Sequence, residues 1–194
     1  IAIGEMGGEA GYGSWDGMPM TFLMRKALEE ADTLSEAVEI FRNTPRTCEY
    51  YYVISDAKIP DARGLACTSS RFDVFEPNHS YPQLQQAVND AVLMSAGDRY
   101  EHLAAMVKQQ SGKIDIAAAL DLMNRPIAMK GCLHRVLFAP QQKVFWVANA
   151  SVDVNEPNYA ACFQPYYKYD FAGLLSLINE PNASGSQIPA QTKE

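Results

Sequence analysis

Residues 48–75 read CEYYYVISDAKIPDARGLACTSSRFDVF. Cys48 to Ser55 is dense in aromatic and β-branched side chains, which pack well on a pleated surface and favour a strand. Asp56 to Arg63, interrupted by Pro60, reads as a turn. Gly64 to Ser69 and Arg71 to Phe75 read as the next two strands of an antiparallel meander. A sheet of this kind needs an apolar cover on at least one face.

The cover lies just upstream. Met20, Leu23, Met24, Ala27, Leu28 and Ala31 recur at helical spacing behind Pro19, giving one apolar stripe. Thr33-Leu34-Ser35-Glu36 is a capping box that opens a second helix, with Leu34, Ala37, Val38 and Phe41 on its inner face. Before these helices, Ile1 to Met6 reads as the end of a buried strand. Gly7 to Gly17 reads as a glycine-rich loop. It lacks the Lys-Ser/Thr ending and βαβ setting of a phosphate loop.

Downstream the order repeats. Pro77 to Pro82 reads as a loop and Gln86 to Ser95 as holding a short strand. Asp98 is placed to cap a helix carrying Tyr100, Leu103, Ala104 and Val107. Another helix is predicted from about Ile114 to Met123, ending before Pro126. Cys132 to Phe138 and Lys143 to Ala150 form a hairpin across Pro140-Gln141-Gln142. Tyr159 to Tyr167 reads as a last strand and Phe171 to Ile178 as a short helix. Residues 1–180 make one domain, and the polar stretch 181–194 reads as a disordered tail.

Two helices followed by strands, twice over, predict an α+β fold with helices segregated from antiparallel sheets. Val136-Leu137-Phe138 and Val144 to Val147 are apolar on both faces, as in a sheet covered by another layer. A four-layer αββα sandwich satisfies both observations, and other α+β layouts remain open.

Composition narrows the function classes. The chain has 194 residues, 47% hydrophobic, with a net charge of −7. Its basic residues are scattered, which argues against a nucleic-acid partner, since phosphate binding needs clustered Lys and Arg. No apolar run reaches the roughly 18 residues of a membrane span. The four cysteines, Cys48, Cys67, Cys132 and Cys162, fall in strand-like stretches without metal-ligand spacing, so no metal or other cofactor is expected. The compartment, cytoplasmic or exported, stays open.

Histidines are few: His79, His102 and His134. His102 sits on a solvent-facing helix position. His134 alternates with Cys132, Val136 and Phe138, the pattern of a core histidine. Cys67-Thr68-Ser69 has the form of a nucleophile motif, and Cys67 with His134 would make a thiolate–imidazolium pair if the fold joined them. An internal-cysteine hydrolase is therefore one reading.

A stronger lead comes from motifs in order along the chain: Ile1 to Gly8, Trp15-Asp16-Gly17-Met18-Pro19, Phe22 to Arg25, Arg46 to Asp56, Gly97 to Glu101, Leu133 to Pro140 and Phe145 to Asn149. Residues 1–178 resemble the cysteine-nucleophile branch of the N-terminal-nucleophile hydrolases that includes isopenicillin N acyltransferase. They resemble choloylglycine hydrolases and penicillin V acylases more distantly. The resemblance implies the αββα sandwich and self-cleavage before a cysteine whose thiol attacks an amide carbonyl. The free α-amine of that cysteine moves the proton.

Ile1 has no nucleophilic atom, so the resemblance places the nucleophile upstream of it. This chain alone is then expected to be inactive, part of a linear-amide hydrolase or acyltransferase. The expected partners are the N-terminal segment of the same precursor and a small amide or acyl substrate. Carried over by position, the supporting strand hydroxyl falls on Thr68, with Ser69 beside it, and the oxyanion-holding Asn on Asn89. A turn Asn is the structural alternative for Asn89. Lys130, before Gly131, stands where the acyltransferase has Arg, which implies weaker or different carboxylate recognition. The resemblance also implies that Trp15 and its loop border the acyl pocket. A non-catalytic domain of the same fold, binding an amide or acyl ligand, is the remaining alternative.

Overall fold

The computed structural model describes residues 1–8, 13–82, 84, 86, 88–179 and 192–193. The chain divides into two compact units, Ile1–Gly112 and Lys113–Glu194.

In the first unit, strands β1 (Ala2–Gly7), β2 (Tyr50–Asp56), β3 (Asp61–Cys67) and β4 (Phe72–Phe75) form an antiparallel sheet in the order β1-β2-β3-β4. Helices α1 (Met20–Glu30) and α2 (Leu34–Asn43) cover one face. Register explains which side chains meet them. Tyr52 pairs with Leu65 and Ile54 with Arg63, so Ile3, Tyr52, Ile54, Leu65 and Cys67 all turn toward Leu23, Ala27, Val38 and Phe41. The alternate residues face the other way, where Ala66 and Phe75 pack with Leu84 and with Tyr100 of α3 (Gly97–Gln109). The capping box at Thr33 forms as the sequence implies, with Glu36 N donating to Thr33 Oγ1 at 3.2 Å and Thr33 N to Glu36 Oε2 at 3.0 Å.

Four expectations for this unit change. Strand β1 lies at the sheet's edge with only Ile3 buried, so it is not a buried strand. The turn after β2 is shorter than expected because β3 starts at Asp61, whose pairing with Asp56 closes the hairpin. The described residues of 86–95 form no strand: the Asn89-Asp90 turn, with Asp90 at φ 55°, breaks the extended run. Helix α3 is capped at Ala96, and Asp98 lies inside its first turn, where its charge still suits the positive helix end.

In the second unit, α4 (Ile116–Leu122) is capped by Asp115, which accepts from Ala118 N at 2.9 Å. Strands β5 (His134–Ala139), β6 (Val144–Asn149), β7 (Tyr167–Asp170) and β8 (Thr192–Lys193) form an antiparallel sheet in that order. A 3-10 turn at Pro140–Gln142 and left-handed Lys143 (φ 53°) close the β5–β6 hairpin. Trp146, Ala148, Ala139 and Leu137 pack with Ile116 and Leu120 of α4. The opposite face carries Phe138, Phe145 and Tyr169, with the Phe145 and Tyr169 rings stacked at 5.0 Å. Helix α5 (Phe171–Asn179) follows β7 directly.

Here too the structure corrects the sequence reading. Residues 161–163 form a 3-10 turn and β7 starts only at Tyr167, because Pro165 cannot donate to a ladder. His134 is exposed, not a core histidine; the inward residue is its neighbour Arg135, set by pairing with Ala148. Of the four cysteines, only Cys67 lies in a strand. The expected tail, 181–194, lies outside the described residues except for 192–193, which pair with β7. No helix among the described residues is long and apolar enough to cross a membrane.

Candidate functional site

At the end of the first sheet where β3 turns into β4, three segments meet. The described part of the glycine-rich loop, 13–18, runs along Pro45–Thr47: Ser14 N donates to Thr47 O at 2.6 Å and Met18 N to Pro45 O at 2.8 Å. Gly17 makes this possible, since a Cβ there would lie 2.3 Å from the carbonyl carbon of Arg46. The glycine is used for close backbone approach, not for cradling phosphate. Trp15 stands on this loop, fully exposed.

Arg46 joins the loop to the strand turn. Its Nη1 donates to the carbonyls of Phe41, Arg42 and Thr44, the orphan acceptors at the end of α2. Its Nε donates to Thr68 O at 3.0 Å and its Nη2 to Arg71 O at 3.4 Å, while the guanidinium lies 5.2 Å over the Phe72 ring. The side chain is only 9% exposed. Thr68 is thereby fixed from both sides. Its N–H donates to Arg71 O, and its Oγ1 accepts from Arg71 N at 2.8 Å and Ser70 N at 3.2 Å. A hydroxyl that accepts twice keeps its proton for a further acceptor. Ser69, half-buried, is next in the same turn.

The structure therefore brings the Trp15 loop, Thr68 and Ser69 together, through Arg46. It does not bring Asn89 to them. Asn89 is exposed in a turn beyond the Phe75 end of β4, where Asp90 N donates to Asn78 Oδ1 at 2.9 Å. Lys130 is exposed on a turn of the second unit. Cys67 is fully buried in the core against α1 and α2, and burial pushes its thiol up to about 12 despite the opposing pull of Arg46. A thiol so disposed supplies no thiolate at neutral pH. That removes the chemical basis of the Cys67–His134 reading.

Sequence reasoning missed the importance of Arg46 and Arg135. Arg135, 7% exposed, donates to Met123 O, Asn124 Oδ1 and Ala161 O and lies 4.7 Å over the Tyr166 ring. The available signals were an arginine just past a helix end and a charged residue inside an apolar strand. In the second unit, Ile116, Leu120, Val144, Trp146 and Lys168 also line a groove. Among the described residues, no group of three His, Cys, Asp or Glu side chains is placed to hold a metal ion.

A family model described as acyl-coenzyme A:6-aminopenicillanic acid acyl-transferase matches residues 13–151, which include the loop, Arg46, Thr68, Asn89 and Lys130. Protein dcd1B of Dictyostelium discoideum is 24% identical over 177 residues, covering 85% of this chain and 35% of that protein. The chain thus spans about a third of the length of this relative. The motifs that anchor the loop to the β3–β4 turn lie within the matched stretch, and the chain belongs to the acyl-coenzyme A:6-aminopenicillanic acid acyl-transferase family.

Proposed function

We propose that this chain forms the scaffold and pocket walls of an N-terminal-nucleophile enzyme that transfers the acyl group of a linear amide to an amine or to water. The observation that carries this reading is family membership across residues 13–151. The attacking group is a cysteine uncovered by self-cleavage on polypeptide preceding Ile1. An internal cysteine has no free α-amine, and a catalyst of this type needs one.

In the proposed reaction the terminal thiol attacks the amide carbonyl. Its own α-amine, with a pKa of about 7.7–8.0 in the ordinary case, takes the proton and returns it to the leaving amine. Thr68 donates its remaining hydroxyl proton near the reacting centre, and Ser69 and Trp15 border the acyl group. The oxyanion role of Asn89 and the carboxylate contact of Lys130 rest on the resemblance alone. The reaction calls for no metal or cofactor, and its partners are the upstream segment of the same precursor and a small amide or acyl molecule.

We propose that the fold is the four-layer αββα sandwich that the resemblance implies; in support, α1 and α2 cover one face of the first sheet and α4 packs on one face of the second.

The test is to produce the chain with its natural upstream polypeptide and follow self-cleavage by intact mass, then amide turnover on a panel of acyl p-nitroanilides. Activity is expected to appear with a new terminal cysteine and vanish when that residue becomes alanine. Amide turnover by the 194-residue chain itself, persisting after all four cysteines are replaced, would end the proposal.

A further inference from the structure

Two segments of the second unit, Met129–Cys132 and Ala160–Phe163, are joined by a main-chain bond. Ala161 N donates to Cys132 O at 2.9 Å, and the flanking bonds Ala150 N to Leu133 O and Ser151 N to Tyr159 O are both 2.7 Å. Arg135 Nη2 adds a bond to Ala161 O at 2.9 Å. The backbones around Cys132 and Cys162 are therefore held close without help from the cysteines.

The side chains meet as well. Cys132 and Cys162 pack in one small cluster with Ala128, Ala160 and Tyr159. Both are free thiols, Cys132 half-buried and Cys162 buried. Beside them is a cation that no carboxylate neutralises among the described residues. Arg135 gives its Nη hydrogens to two backbone carbonyls and an Asn amide oxygen, and its buried Nε has no partner. Burial and the neighbouring Cys132 push the Cys162 thiol up, and the Arg135 charge opposes them. Nearby backbone separation and side-chain contact are what a disulfide requires of its two ends.

We propose that Cys132 and Cys162 are a reversible redox pair which hydrogen peroxide closes into a disulfide. Cys132, the more accessible, acts first. Its thiolate attacks one peroxide oxygen, an S–O bond forms, the O–O bond breaks, and hydroxide leaves and takes up the thiol proton as water. Cys132 is now a sulfenic acid. The Cys162 sulfur attacks that sulfur, the S–S bond forms, the S–O bond breaks, and water leaves with the Cys162 proton. The two sulfurs together lose two electrons, the peroxide is reduced to two waters, and a small thiol reverses the change by exchange. The new bond would fasten the Lys130–Gly131 turn to the segment leading into β7. The proposal does not depend on the acyl-transfer reading.

Trypsin makes the test direct, because Cys132 falls in the peptide Gly131–Arg135 and Cys162 in Val144–Lys168. The folded chain is treated with hydrogen peroxide, remaining thiols are blocked with iodoacetamide, and the digest is read by mass spectrometry. The expected product is these two peptides linked, two hydrogens lighter than their sum and split by dithiothreitol. The Cys162→Ser chain is expected to stop at a Cys132 sulfenic acid that dimedone traps. The wild-type experiment needs no variant to fold. Over-oxidation of Cys132 to a sulfinic acid while Cys162 still takes iodoacetamide would overturn the proposal, as would preferential pairing of either with Cys48 or Cys67.

Discussion

Arg46 is gripped by carbonyl oxygens from two directions, the end of α2 and the β3–β4 turn. Replacing it with alanine strands those acceptors and is expected to cost about 3 kcal/mol in a urea melt; Arg46→Lys keeps the charge but not the fork and should still cost about 2 kcal/mol. Two melts indistinguishable from wild type would contradict the clasp. Gly17→Ala places a carbon 2.3 Å from the Arg46 backbone and should lose about 1–3 kcal/mol, as overpacking does. Gly4→Ala meets nothing within 4 Å and should melt like wild type. Native alkylation at pH 8 gives a separate check: Cys67 should resist iodoacetamide while half-buried Cys48 and Cys132 react, and equal rates would refute its burial. At this scale Thr68 was legible as a hydroxyl ending a strand. The residue that fixes it was not, because Arg46 acts through carbonyls 22 and 25 positions away, which no local pattern encodes.

The start of α2 is tied by carboxylates. Glu36 accepts from the N–H groups of Asp32 and Thr33, and Asp56 accepts from Leu34 N at 3.1 Å and Lys58 N at 2.9 Å, with the Lys58 ammonium at 3.1 Å. The backbone donors hold both carboxyls below their ordinary values, with Lys58 the first cause for Asp56. A lowered folded pKa stabilises above the unfolded value, near 4, and is lost as pH falls through the folded one. Stability should therefore drop from roughly pH 5 downward. Asp56→Asn should flatten that slope in an acid titration followed by circular dichroism, and an unchanged slope would count against it. Thr33→Ala should cost about 1 kcal/mol at neutral pH. The helices and their cap were readable because capping and 3.6-residue periodicity are local. The His134 register was not, because β5 is apolar enough to bury either face, and pairing with β6 decided it.

At the scale of the molecule, each unit has its own core and each should protect its own amides. Slowest hydrogen exchange is expected at Tyr52, Ile54 and Leu65 in the first unit and at Trp146 and Ala148 in the second. Protection greatest in the 113–133 stretch would contradict this. The α+β class and the order of helices and sheets were legible along the chain, because alternation and periodicity report burial directly. The gathering of the Trp15 loop at Thr68 was less so, since it depends on main-chain approach at Gly17. The arginine knots at Arg46 and Arg135 join a guanidinium to amide oxygens and rings, partners that do not change protonation in any ordinary buffer, whereas the α2 entrance is tied by groups that do. Acid should therefore undo the scaffold from its helical end first, leaving the loops around Thr68 and the Lys130 turn moored until the sheets themselves give way.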